Sequence, residues 1–179
     1  MNVPGVVMIL SLVLAADGTA VAQGKRAIVA EQTEFSAEDE GMKRPVLIPE
    51  DVLAILRTDD AVRKTMENAD PPLEKLPPSW FSASVVHLAG PEEEDLIVRG
   101  EGEMQGGNVV LFWVFRPTPH GYVLALTAPA HDLEVKRKRW RGVREIEMSG
   151  ETAVMFTAVQ FRWDGKRFVK FRERSNDMR

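Results

Sequence analysis

The sequence predicts an α+β fold: one or two N-terminal helices packed on a curved antiparallel β-meander of about six to eight strands. Three observations predict it. Helical spacing of apolar residues is confined to residues 50–69, and from Trp80 onward the apolar period becomes two. The strand-like runs are also separated by short Gly, Pro or Asp-Gly breaks, which leave no room for crossover helices and suit antiparallel neighbours.

The elements follow in chain order. "VVMILSLVLAA", Val6 to Ala16, is apolar except for Ser11, and it precedes small residues ending in Ala20-Val21-Ala22. That is an h-region followed by an A-x-A site, with cleavage expected before Gln23. The alternative is a retained hydrophobic segment, since "MNVPG" carries no Lys or Arg. The run is shorter than the roughly 20 residues of a transmembrane helix, so the mature form is expected to have no transmembrane segment. No cysteine follows it to carry a lipid anchor. Cleavage after 22 of the 179 residues leaves 157, enough for one domain with an adequate core. The expected boundaries are a signal peptide over 1–22, a flexible acidic leader over 23–43, a single α+β domain over 44–174 and a disordered tail over 175–179.

Pro49-Glu50-Asp51 opens the first helix, with Pro suited to a first turn and two acids placed to favour the helix dipole. Val52, Ile55 and Leu56 give it one apolar face. Thr58-Asp59-Asp60 reads as a second N-cap, and Val62 and Met66 mark a shorter helix ending near Ala69. "PPLEKLPPS" then excludes continued helix. Among the strands, Val109 to Phe115 is apolar on both parities and is expected to be central and covered on both faces, with Trp113 in the core. Trp80 is expected to close the helix–sheet junction. "HDLEVKRKR" is dominated by charge and is expected at an edge or on an open face. Asp164-Gly165 in "FRWDGKRF" signals a two-residue hairpin turn.

Charge is the most uneven property of the chain. Gln23 to Val135 carries ten Lys+Arg against twenty Asp+Glu, a balance of −10, whereas Lys136 to Arg179 carries thirteen against six, a balance of +7. Lys136, Arg137, Arg139, Arg141, Arg162, Lys166 and Arg167, interleaved with Trp140, Trp163 and Phe168, form the candidate binding surface. Such a face suits an anionic envelope polymer or an acidic protein, with no specific nucleic acid implied. The competing reading is that these cations are offset locally by strands and loops of the acidic half, Glu92-Glu93-Glu94-Asp95 included. Trp140, between Arg139 and Arg141, is either a cation–π partner or an exposed anchor.

Chemistry is constrained by what is absent. The chain contains no cysteine, which removes thiol nucleophiles, CxxC pairs and thiolate metal sites. His87, His120 and His131 share no ligand spacing, so no metal site and no cofactor is implied. G-x-S-x-G, S-x-x-K, H-E-x-x-H and the P-loop are missing, and no catalytic residue is assigned. Glu101 and Glu103, in a glycine-rich connection, are indistinguishable from solvated loop charges. A second function class stays open: helices over a curved sheet can close a small-molecule pocket, for which His87 is the expected polar group.

In the C-terminal third, Gly142, Arg144, Glu145 and Ile146 are followed by Trp163, Asp164, Gly165, Lys166 and Phe168. This G-x-R-[DE]-I strand and aromatic-D-G-K-x-aromatic hairpin resembles a pattern in small exported bacterial proteins of uncharacterised function. The pattern's usual aromatic after the glycine is Val143 here, and its usual Asp is Glu145. The resemblance covers about thirty residues and implies an exported β-rich domain with no activity attached. The sequence therefore points first to an exported, non-enzymatic binding or accessory domain acting through its basic aromatic face, and second to a pocket domain.

Overall fold

The computed structural model describes residues 31–178. The expected signal peptide and the first part of the expected leader lie outside the described residues. Two helices, α1 (Glu50–Leu56) and α2 (Asp60–Asn68), precede most of the sheet structure. The strands are β1 (Glu34–Ser36), β2 (Phe81–Val86), β3 (Asp95–Gly100), β4 (Gln105–Gly106), β5 (Val109–Thr118), β6 (Gly121–Ala130), β7 (Asp132–Trp140), β8 (Val143–Glu151), β9 (Met155–Trp163) and β10 (Phe168–Asp177). All pairings are antiparallel, so the α+β class holds.

The helices begin where local chemistry favours them. Glu50 and Asp51 occupy the first turn of α1, and Val52 and Leu56 bury one face. Asp59 caps α2 by accepting the amides of Ala61 at 2.9 Å and Val62 at 3.3 Å. Its second oxygen accepts the indole N–H of Trp113 at 3.0 Å, which ties the cap to the sheet below.

Instead of one meander of six to eight strands, the ten strands divide into two five-stranded sheets. One runs β1-β7-β8-β9-β10; the other places β3 and β4 on one side of β5, with β2 beyond β3 and β6 on the opposite side of β5. The chain changes sheet at His131, the single residue between β6 and β7. Period-two alternation is the same on either side of such a corner, so the sequence pattern does not reveal the switch.

Strand β5 explains the layering. Val110, Phe112 and Val114 face the core between the sheets, and Trp113 and Phe115 face a second core under the helices. Its all-apolar run is thus covered on both faces, as expected, and Trp80 is buried at the helix–sheet junction. The layers are helices, sheet and sheet.

Three other expectations change. Residues 31–43 are not a loose leader, because β1 pairs with Asp132–Glu134 and both Phe35 and, beyond the strand, Met42 are buried. The expected tail over 175–179 is part of β10 as far as Asp177, held by pairing with β9. The β9–β10 connection spans four residues rather than two: Asp164 Oδ1 accepts the amides of Lys166 at 2.7 Å and Arg167 at 2.9 Å, so the side chain builds the turn. Trp163 and Phe168, either side of it, meet edge-to-face at 5.5 Å and pack toward the inter-sheet core. Among the described residues, no helix is long and apolar enough to cross a membrane.

Candidate functional site

The basic run in β7 owes its shape to a register irregularity. Val135 pairs with Ile146 and Arg139 with Arg144, so β7 spends two more residues than β8 between these pairs. The bulge frees the carbonyls of Val135 and Lys136, and Arg144 donates to both at 2.9 Å. β7 lies between β1 and β8, yet β1 covers only its first residues, leaving the stretch from Lys136 to Trp140 on a free edge.

Most of the predicted cations are engaged inside the molecule. Lys136 bridges Glu134 at 2.5 Å and Glu147 at 3.2 Å. Arg139 donates to the carbonyls of Leu88, Ala89 and Gly142, each at 2.8 Å. Arg162 donates to Glu145 at 2.7 Å and lies 4.4 Å from the Trp140 ring centre and 3.6 Å from that of Phe171. Glu145 and Glu147 are buried beneath these cations on the outer face of the β7–β10 sheet. Burial opposes ionisation of Glu147, but hydrogen bonds from Gln160 and Lys136 outweigh it and hold its carboxyl below the ordinary range. Burial likewise lowers the Lys136 ammonium, and its bonds to Glu134 and Glu147 more than reverse that.

The compensation thus comes largely from Glu145 and Glu147, within the basic segment itself. The Glu92–Asp95 run has a different partner. Arg116 donates to Asp95 at 2.8 Å and to Glu93 at 2.7 Å, and its guanidinium stacks 4.6 Å from the Trp163 ring centre. Asp95 also accepts the Leu88 amide at 2.9 Å, and burial pushes its carboxyl above its usual range.

What stays free is smaller than the predicted surface. Arg137, Lys166 and Arg167 form no side-chain ion pair among the described residues. Arg141, at positive φ of 50°, lies 6.0 Å from Trp140, which is 42 % exposed. The turns at 141–142 and 164–167 occupy the same end of the sheet, so these groups gather there.

His87, the residue expected to serve a pocket, does not line the apolar hollow. His87 follows β2, at the edge of its sheet opposite β6, with Nδ1 3.6 Å from Glu31. The hollow with an apolar lining lies elsewhere, in the cleft between the sheets beside β6. It has a volume of about 520 Å³ and is walled by Val109, Ala128, Met148, Met155, Val159 and Phe161. Pro129 and His131 close it at the sheet-to-sheet corner, and Lys170 stands at its other end. A second hollow of about 450 Å³ shares Lys170 and continues along Leu124–Thr127 to Arg167. Leu124 and Met155, 37 % and 46 % exposed, lie at the two mouths. β6 and β10 are both edge strands of their sheets, and among the described residues no further strand pairs with either outer edge.

At the corner stand His131, Asp132 and Ser149, the residue types of a nucleophilic triad. Their wiring does not match one. His131 Nδ1 lies 3.1 Å from Asp132, but the Ser149 hydroxyl donates to Asp132 at 3.3 Å, and His131 Nε2 faces Glu38 at 3.8 Å. The hydroxyl has no imidazole to take its proton.

Sequence reasoning counted Lys170 only among the cations of the basic face and missed the cleft walls. The available signal was the small residues at the end of β6, Ala128 and Ala130 around Pro129, which do not fill the space opposite Phe161. The chain matches no protein-family model, no curated protein and no solved structure.

Proposed function

We propose that this is a non-catalytic binding domain that takes a small apolar molecule into the cleft between its two sheets. The observation that carries this reading is the cleft itself: about 520 Å³ of accessible space walled by apolar side chains, where a sandwich core would ordinarily be filled. The wiring of Ser149 and His131 argues for binding without turnover. Export belongs to the same proposal and rests on Val6–Ala16 and Ala20-Val21-Ala22 in the sequence.

The test is titration of the purified protein with a neutral environment-sensitive naphthyl fluorophore, in parallel with Ala128→Phe, which places a ring into the cleft and narrows it. Saturable binding to one site, lost in the variant at unchanged melting temperature, is the expected result. Absence of saturable binding to wild-type protein sinks the proposal.

A second reading keeps the expected basic aromatic face, favoured by Trp140 at 42 % exposure beside Arg137, Lys166 and Arg167, which form no ion pair among the described residues. Its ligand is an anionic envelope polymer or an acidic protein, held by four or fewer cations rather than the seven named from sequence, since Lys136, Arg139 and Arg162 are already committed. Binding to lipopolysaccharide or peptidoglycan that falls steeply with salt, and falls further in Arg137→Glu/Lys166→Glu, supports it. Salt-insensitive or absent binding removes it.

A further inference from the structure

We infer that the occupant of the cleft is a single-chain alkyl carboxylate, its tail between the sheets and its head against Lys170 and Arg167. This rests on the cleft-binding reading above and adds the chemistry and the orientation of the ligand.

The charge distribution along the cleft is asymmetric. The apolar hollow is flanked at its corner end by His131 and Glu151, and at its far end by Lys170. The adjoining hollow has Arg167 and Lys170 as its charged lining residues. Register explains the placement: Lys170 pairs with Phe161, so it shares the inward face of that ring at the junction of the two hollows. A one-residue bulge at Phe171 then brings Glu173 opposite Val159, on the same face, and Lys170 Nζ reaches Glu173 at 2.8 Å. The cleft's own cation is thus held by a carboxylate supplied by the protein, and both side chains are roughly half exposed, so the pair exchanges readily with a competing anion. Arg167 forms no ion pair among the described residues.

The geometry sets a direction. A molecule with one anionic end and one apolar chain satisfies both regions only with its head at Lys170–Arg167 and its tail toward Met148 and Met155. A cationic amphiphile is disfavoured at Lys170–Arg167 and fits only in the reverse orientation, with its head toward Glu151.

The experiment displaces the neutral fluorophore with decanoate, decanol and decyltrimethylammonium, each below its micelle concentration, from wild-type protein, Lys170→Met/Arg167→Met and Glu173→Gln. Decanoate is expected to bind about three- to fivefold more tightly than decanol, as befits a partly exposed ion pair. The double variant should lose that preference while its decanol affinity stays within twofold. Glu173→Gln, by freeing Lys170, should strengthen decanoate alone. Dodecanoate should exceed decanoate by about fifteenfold, the increment for two buried methylenes. Equal displacement by decanol and decanoate in wild type, or an undiminished preference in the double variant, overturns this inference and leaves the cleft-binding reading standing. Failure of every amphiphile to displace the probe overturns the inference and places the probe outside the cleft, whereas failure of the probe itself to bind overturns both. Attraction to anionic vesicles without displacement by monomeric decanoate overturns the inference in favour of a surface interaction.

Discussion

Replacing Arg116 with Met tests the buried ion pair between the neighbouring strands β5 and β3. Asp95 is fully buried, and its carboxylate has two stabilising partners, the Leu88 amide at 2.9 Å and the Arg116 Nε at 2.8 Å. Methionine keeps bulk against Trp163 but removes the only cation bonded to Asp95 among the described residues. An orphaned buried charge costs about 3–5 kcal/mol, which for a chain of this size lowers the melting temperature by roughly 10 °C. The double variant Asp95→Asn/Arg116→Met still accepts the Leu88 amide and carries no charge, so it should recover at least about 2 kcal/mol of the loss.

The pH dependence supplies an independent check. Burial already pushes the Asp95 carboxyl up, with Arg116 opposing. Removing Arg116 raises it further above its unfolded value of about 3.9. A group with a raised folded pKa binds more protons in the native state, so its contribution is present at low pH and is lost as pH rises through that pKa. The single variant should therefore be less impaired at pH 5 than at pH 8, read by urea unfolding monitored through tryptophan fluorescence. A loss below about 1 kcal/mol, a deficit equal at both pH values, or a double variant no better than the single one would refute the reasoning.

Two further predictions concern the outer face and the helix cap. Glu147 is held below the ordinary glutamate range, so its contribution is present at neutral pH and disappears as pH falls through its folded pKa, below about 4.3. Glu147→Gln should cost about 1–3 kcal/mol at pH 7 and flatten the acid limb of the stability curve; an unchanged acid limb counts against the network. Asp59→Ala removes both the cap of α2 and the acceptor for the Trp113 indole, and should cost about 2–4 kcal/mol, with amide exchange accelerated in residues 60–68. In a Trp113→Phe background, which lacks the indole donor, the same substitution should cost only the cap, about 1 kcal/mol.

Local interactions account for the parts of this protein legible in its sequence. Pro49 to Asp51 and Asp59 start the two helices with groups lying within a turn of their targets, and the all-apolar run of β5 announces a strand buried on both sides. Alternation located the strands from Trp80 onward, because a side chain's parity is set by the backbone alone. Which strands share a sheet depends on what happens at His131, where one residue turns the chain from β6 into the opposite layer. No composition signal marks that turn. The same limit applies to charge: Lys136, Arg139 and Arg162 look like a binding face when read along the chain. Only the register of β7, β8 and β9 sets them over Glu145 and Glu147, and only the packing of the segment after β2 against β7 brings the Leu88 carbonyl to Arg139. Lys170, one cation among many in the sequence, faces a cleft because it pairs with Phe161 across a strand. The sequence by itself determined the class of the fold and the places where its elements begin. The tertiary structure decided which charges are spent and where the space lies, because both depend on residues brought together from distant parts of the chain.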